Sequence, residues 1–300
     1  MGMEQGFTNE EILKWMGAFA DELNVSPEKF KILNICGKNK NVYPSIETHK
    51  RVILFSDNTH ENLFYELWEA GFGDYDVYVG EGKAPGKIEA TKIKNLMKKK
   101  IDSPVAVLIV NENTRESYRI GIKNEYFSKG PIHYVCNEIR AVIMSLLAVD
   151  SHDNVCIVSG ESIVIEAAIV ASEGTIIAVE GNEGSKNSME ENIDKFGVHN
   201  VQIIEDLSKE SLDTVPVPRI AFIVATKNLE NDIRNLLTKN PKMQFVIYTL
   251  ELDILSKIKD IFKIYGIDEM EVMQIAVSKT NKNSIFVAEP VPWLITGAAK

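Results

Sequence analysis

The 300-residue sequence predicts an α/β protein: a mainly parallel sheet closed by an antiparallel hairpin, preceded by a smaller α/β region. Three observations carry this. Apolar runs of strand length alternate with amphipathic helical patterns. The runs are almost continuous in β-branched residues, as in strands buried on both faces. The last two runs are joined by TNKN, which is turn chemistry, and not by a helix.

Taken in order, RVILF (51–55), DVYVG (76–80) and VAVLIV (105–110) read as strands, with helices over 61–70 and 88–100 between them. Asp57 or Asn58 is a natural N-cap for the first helix. The basic run KNLMKKK (94–100) ends the second, where positive charge complements the helix dipole. The polar stretch 111–130 separates two apolar regions and sets a boundary, giving a first domain over 8–115 and a second over 121–300. Residues before Thr8 are expected to be disordered. In the second domain VCIV (155–158), TIIAVE (175–180), VQII (201–204), RIAFIVA (219–225) and QFVIYTL (244–250) read as strands. Helices over 137–148, 162–172, 184–196, 228–238 and 251–264 alternate with them. EVMQIAVSK (271–279) and SIFVAEP (284–290) form the closing hairpin.

The apolar fraction of 45% is ample for a buried core, and a formal charge of −10 argues against nucleic acid or a membrane surface as partner. No apolar run reaches membrane-spanning length, and the polar N-terminus lacks a signal-peptide core. Cys36, Cys136 and Cys156 are odd in number and widely spaced. They read as buried thiols in a reducing compartment, without metal-ligand spacing, and point to a cytoplasmic protein.

The stretch VCIVSGESIVIE (155–166) lies where an α/β domain places a nucleotide-binding turn. Such a turn uses glycines, so that backbone can approach a ligand and take φ > 0. Here Gly160 stands alone between Ser159 and Glu161. Two readings follow. One is an unorthodox cofactor turn made by Ser159, Gly160 and Glu161. The other is a plain connection, with Ser162 as helix N-cap and Glu166 in the first turns. Glu180 ends the following strand, about 20 residues on, where an acid suits two ribose hydroxyls. It can equally be a solvated strand end.

GIKNEYFSKGPI (121–132), NEIRAVIMSLL (137–147), SIVIEAA (162–168), IIAVEGNEGSKNSMEENIDKFGVHNVQIIE (176–205) and PVPWLITG (290–297), in this order, resemble the cobalt-precorrin methyltransferases that act at carbon 15 and decarboxylate. VILFSDNTHENLFYELWEAGFGDYDVYVGEG (52–82) is similar to the second half of the carbon-5 enzyme, a tetrapyrrole methylase. The chain thus resembles the precorrin-6Y C(5,15)-methyltransferase fusions with the first half of the first domain missing. The resemblance implies a Rossmann-like S-adenosylmethionine methyltransferase domain preceded by a half-domain of tetrapyrrole methylase type.

It also implies a site. Where the family has an acid and then alternating glycines, this chain has Val155, Ile157, Ser159 and Glu161, with Gly160 recovered by a one-residue shift. Glu180 and Asn182 fall at the ribose, and Asp206 near the adenine. Ala225 and Thr226 stand in a turn that usually carries Gly-Gly-Ser/Thr. Val135 and Cys136 replace a Thr-Lys pair, leaving Glu138 and Arg140 as candidates for catalysis. Arg140 suits a substrate carboxylate, or it braces its helix against a neighbour. His133 is a proton carrier by its pKa or plain polar surface. Asp57, Asn58 and His60 form the DN-x-H signature of the first domain.

The implied reaction is methyl transfer from S-adenosylmethionine to carbon 15 of a precorrin, with loss of a ring acetate carboxyl. The implied partners are a tetrapyrrole, further copies of the chain and other corrin-pathway proteins. The second reading is a non-catalytic relative that binds a tetrapyrrole or acts as a scaffold. It rests on the missing half-domain, the glycine-poor turn and the lost Gly-Gly.

Overall fold

The computed structural model describes residues 6–38, 40–114, 120–131 and 135–300. The chain divides into two compact units, Met1–Ser117 and Tyr118–Lys300.

The first unit opens on α1 (Asn9–Leu23), which sequence reading missed although its signal is present as T-x-x-E. Thr8 and Glu11 form a capping box: each side chain accepts the other's backbone N–H. The apolar stripe of α1 buries Trp15 and Phe19. Phe7 lies edge-on to Phe55, with ring centroids 4.8 Å apart, so Phe7 is packed, contrary to expectation; residues 1–5 of that expectation lie outside the described residues. The unit's sheet runs β1-β2-β5-β3-β4, from β1 (Lys31–Asn34), β2 (Arg51–Ser56), β3 (Asp76–Glu81), β4 (Ile88–Lys92) and β5 (Val105–Val110). Short helices α2 (Tyr43–Thr48), α3 (Leu63–Leu67) and α4 (Ile93–Leu96) complete it.

Two expectations fail here. The β1–β2 pairing is parallel, and the other three are antiparallel. Burial on both faces yields the same apolar run whichever way the neighbours point; the connections set direction. The link from β3 to β4 is too short for a crossover helix, so the two pair as a hairpin. Consequently residues 88–92 are strand, and only Ile93–Leu96 of the expected helix over 88–100 is helical. The basic run there meets acids on the surface: Lys94 lies 2.7 Å from Asp74 and Lys99 2.7 Å from Glu81.

The second unit is a seven-stranded sheet in the order β11-β14-β10-β9-β6-β7-β8. Its strands are β6 (Val155–Val158), β7 (Ile176–Val179), β8 (Val201–Ile204), β9 (Ile220–Val224), β10 (Gln244–Thr249), β11 (Ile267–Gln274) and β14 (Trp293–Ala299). Five adjacent strands, β8 to β10, pair in parallel, and β14 is antiparallel to both its neighbours. Side chains alternate between two cores. Val155, Ile157 and Phe222 face α5 (Asn137–Leu147), α6 (Glu161–Val170) and α7 (Glu183–Phe196); Cys156, Ala221 and Phe245 face α8 (Lys209–Asp213), α9 (Leu229–Lys239) and α10 (Leu252–Ile264). All three cysteines are free and buried.

The closing hairpin is arranged differently from expectation. Residues 278–280 and 286–288 do pair antiparallel, but as a separate two-stranded sheet, β12 (Ser278–Thr280) and β13 (Phe286–Ala288). The main sheet is closed by β11 and β14, which flank that arm in sequence. TNKN marks a true turn, but the strands long enough to pair with the sheet lie outside it.

On α9, burial pushes the half-buried Asp232 carboxyl up to about 6 from 3.8. The unfolded chain therefore ionises first. Stability is unaffected below pH ~4, falls as pH rises towards about 6, and stays reduced above. The group is partly open to water, so the net cost is about 1 kcal/mol and not the ~3 of a dry site. Asp232→Asn is expected to stabilise the protein by that amount at pH 7.5 and not at pH 3, as read by urea unfolding at both.

Candidate functional site

In an open α/β sheet, ligands bind outside the carboxyl ends of the strands where strand order reverses. Here β6 is that point, flanked by β7 on one side and β9 on the other. The turn after β6 solves its glycine shortage in an unforeseen way. The left-handed position falls on Ser159, at φ 56°, and its amide donates to the Val179 carbonyl at 3.2 Å. Ile157 stays in the strand, fully buried. Gly160 has φ −128° and is the helix N-cap, a role expected of Ser162. It is needed for space: a Cβ there would lie 2.7 Å from Ile157 Cγ2 and 3.3 Å from the Phe222 ring. Glu161, first residue of α6, is buried and accepts from Ser188 Oγ at 3.2 Å.

Glu180, just past β7, is 6% exposed. Its amide donates to the Ile204 carbonyl, and its Oε1 accepts from the Asn182 amide at 2.9 Å. Its Oε2 is buried and finds no partner among the described residues. An ionised oxygen left so is costly unless a ligand donor completes it. Asn182 caps α7 through Ser185 N at 3.1 Å, so the Glu180–Asn182 pair welds the strand end to the helix start.

The other expected positions lie nearer the surface or inside the core. Asp206 is exposed and accepts from Ser208 N at 2.9 Å and Ser211 Oγ at 2.8 Å; bonds from these serines hold its carboxyl below the usual range, and it organises the start of α8. Ala225 is buried, its amide bound to the Tyr248 carbonyl at 2.9 Å. Thr226 is exposed and accepts from Asn228 N at 3.2 Å. Glu138 meets Lys279 at 2.6 Å; burial alone would raise its carboxyl, but Lys279, its own backbone amide and Asn137 together hold it low. His133 lies outside the described residues.

Arg140 departs most from a substrate-binding role. It is fully buried, and its Nε donates to Glu166 Oε1 at 2.5 Å. Its remaining donors reach Asn124 Oδ1, the Val135 carbonyl and the Ile122 carbonyl, and its guanidinium lies over the Phe127 ring. With every edge spent inside the unit, it braces α5 against α6. Glu166, read as an early helix residue only, is the hub: it also accepts from the Gly121 and Ile122 amides at 2.9 Å each. In the first unit Asp57 is a cap, accepting from Thr59 N at 3.0 Å, and His60 Nε2 holds the Ile35 and Lys38 carbonyls. Among the described residues no group of three His, Cys, Asp or Glu is placed to hold a metal, and no helix is long and apolar enough to cross a membrane.

A reversed-order parallel sheet, one antiparallel strand inside its edge and a buried acid beyond the second strand define a Rossmann-like methyltransferase domain. A solved precorrin-6Y C5,15-methyltransferase from Geobacter metallireducens matches 60% of this chain and 98% of its own, at 28% identity and TM-score 0.55. Residues 129–288 match the precorrin methyltransferase domain, and the chain belongs to that family. The probable cobalt-precorrin-6B C(15)-methyltransferase (decarboxylating) of Methanocaldococcus jannaschii is 27% identical over 167 residues, 55% of this chain and 90% of its own. That of Methanococcus maripaludis is 25% identical over 179 residues, 59% of this chain and 98% of its own.

Proposed function

We propose that the second unit binds S-adenosylmethionine beyond β6 and β7 and methylates carbon 15 of a precorrin or cobalt-precorrin, with decarboxylation. The observation that carries this is Glu180: a buried carboxylate at the switch point with one oxygen in want of donors, in a chain of this family. The ribose diol of the cofactor supplies two such donors. Glu180 and Asn182 would hold that end, and Ser159, Gly160 and Glu161 would border the rest. Bound there, S-adenosylmethionine supplies an electrophilic methyl group. The chain's own part is to orient it and to exclude water, which needs no activated side-chain nucleophile. The test is incubation of the purified protein with cobalt-precorrin-6B and S-adenosylmethionine, followed by mass spectrometry. The reading requires a product that has gained one methyl and lost one carbon dioxide. Unchanged macrocycle beside bound cofactor would favour the non-catalytic reading instead.

The first unit is proposed as a half-domain of tetrapyrrole methylase type. We also propose self-association through the β12–β13 arm. Both its outer edges are open among the described residues, and Ile285, Phe286 and Val287 are 60%, 74% and 49% exposed. A lone two-stranded sheet is marginal, and exposed apolar residues on its tip suit a partner surface; a second copy offers the same edge in return. Light scattering is expected to show an oligomer for the wild type and a smaller species for Phe286→Ser. A wild type that scatters as a monomer at every concentration measured contradicts this.

A further inference from the structure

Residues 121–131 lie as a strap along α6 and α7. One end is fixed by Glu166, which takes the Gly121 and Ile122 amides, and by Arg140, which reaches Asn124. The middle is pinned by Asn192, fully buried on α7: its Oδ1 accepts from Ser128 N at 2.7 Å and its Nδ2 donates to the Ser128 carbonyl at 3.1 Å. That side chain thus pairs with strap backbone as a neighbouring strand would. The Phe127 ring lies tilted against that of Phe196, with 5.1 Å between centroids. The far end lies over the first turns of α7. A Cβ on Gly130 would fall 2.4 Å from Ser188 Oγ and 3.1 Å from Glu161 Oε1, and one on Gly184 would fall 3.2 Å from Pro131 Cγ. The strap therefore ends against the turn after β6 and the helix start that Asn182 joins to Glu180.

We infer that Asn192 is a positioning residue for the cofactor site. It touches neither β6 nor Glu180, but it seats the strap so that Gly130 and Pro131 form the wall beside them. This inference rests on the cofactor reading above. Without the pin, the strap must be ordered at the moment of binding, and that cost appears as lost affinity.

A control of matching burial exists. Asn200 is also buried in this unit and donates to the Ala168, Ala171 and Gly174 carbonyls, but it sits at the amino end of the sheet. Isothermal titration with S-adenosylmethionine is run on wild type, Asn192→Ala and Asn200→Ala, each well below its unfolding temperature. Asn192→Ala is expected to bind about tenfold more weakly, and Asn200→Ala to bind as the wild type does while unfolding earlier. Should Asn192→Ala fail to fold, Asn192→Asp keeps the acceptor for Ser128 N, loses the donor and makes the same comparison. Equal affinity in the Asn192 variant and the wild type overturns the inference, as does an equal loss in both variants. No binding by the wild type overturns the cofactor reading itself, and the inference with it.

Discussion

Glu180→Gln is expected to weaken S-adenosylmethionine binding at least 100-fold while leaving the fold intact. The buried carboxylate offers Oε2 to ligand donors, and charge-assisted bonds to two hydroxyls are each worth about 1.5–3 kcal/mol. Glutamine keeps the acceptor for the Asn182 amide, so the joint between β7 and α7 survives. It also removes a buried charge that costs stability without ligand. Urea unfolding should therefore show Glu180→Gln as stable as the wild type, or slightly more so. A variant that binds normally would mean the ribose lies elsewhere. A variant that unfolds would mean that Glu180 is structural.

Arg140→Met is expected to be strongly destabilising to the second unit. It leaves Glu166 as a buried carboxylate without its counter-charge, and the Ile122 and Val135 carbonyls lose a donor. Breaking a buried pair from one side costs about 3–5 kcal/mol, a large part of the ~5–15 kcal/mol that holds a domain together. The strap should loosen first, since Glu166 fixes its Gly121–Ile122 end. Removing both charges, as Arg140→Met with Glu166→Leu, should recover part of the loss, since an apolar pair has no charge to bury. Chemical denaturation of the single and double variants measures this. A single-variant loss below about 1 kcal/mol would mean that water reaches the pair.

The alternation of strands and helices in the second unit was legible because burial on both faces leaves an apolar run that neighbouring chain cannot disguise. Strand direction in the first unit was not, since VAVLIV is equally apolar between parallel or antiparallel neighbours. β1 (KILN) and β4 (IEATK) were missed because edge strands mix polar and apolar residues. At the candidate site, the strand-end position of Glu180 was legible from its distance past the turn, and its ribose role is the proposal made above. The turn was legible only as two alternatives, because spacing does not show that Ser159 takes the left-handed conformation while Gly160 leaves space beside Ile157 and Phe222. Arg140 could be read two ways because a guanidinium fits a substrate carboxylate and an internal one equally; only the position of Glu166, 26 residues away, decides. Asn192 gave no signal, because its partner is strap backbone, which any residue provides.

A cofactor that completes Glu180 despite the altered turn must bind the wild-type protein. Titration calorimetry of the wild type with S-adenosylmethionine tests this most directly. Saturable binding is expected, with Kd in the ~1 µM–1 mM range usual for such substrates, lost in Glu180→Gln. No heat and no rise in unfolding temperature at about 5 mM ligand, above that range, would contradict it.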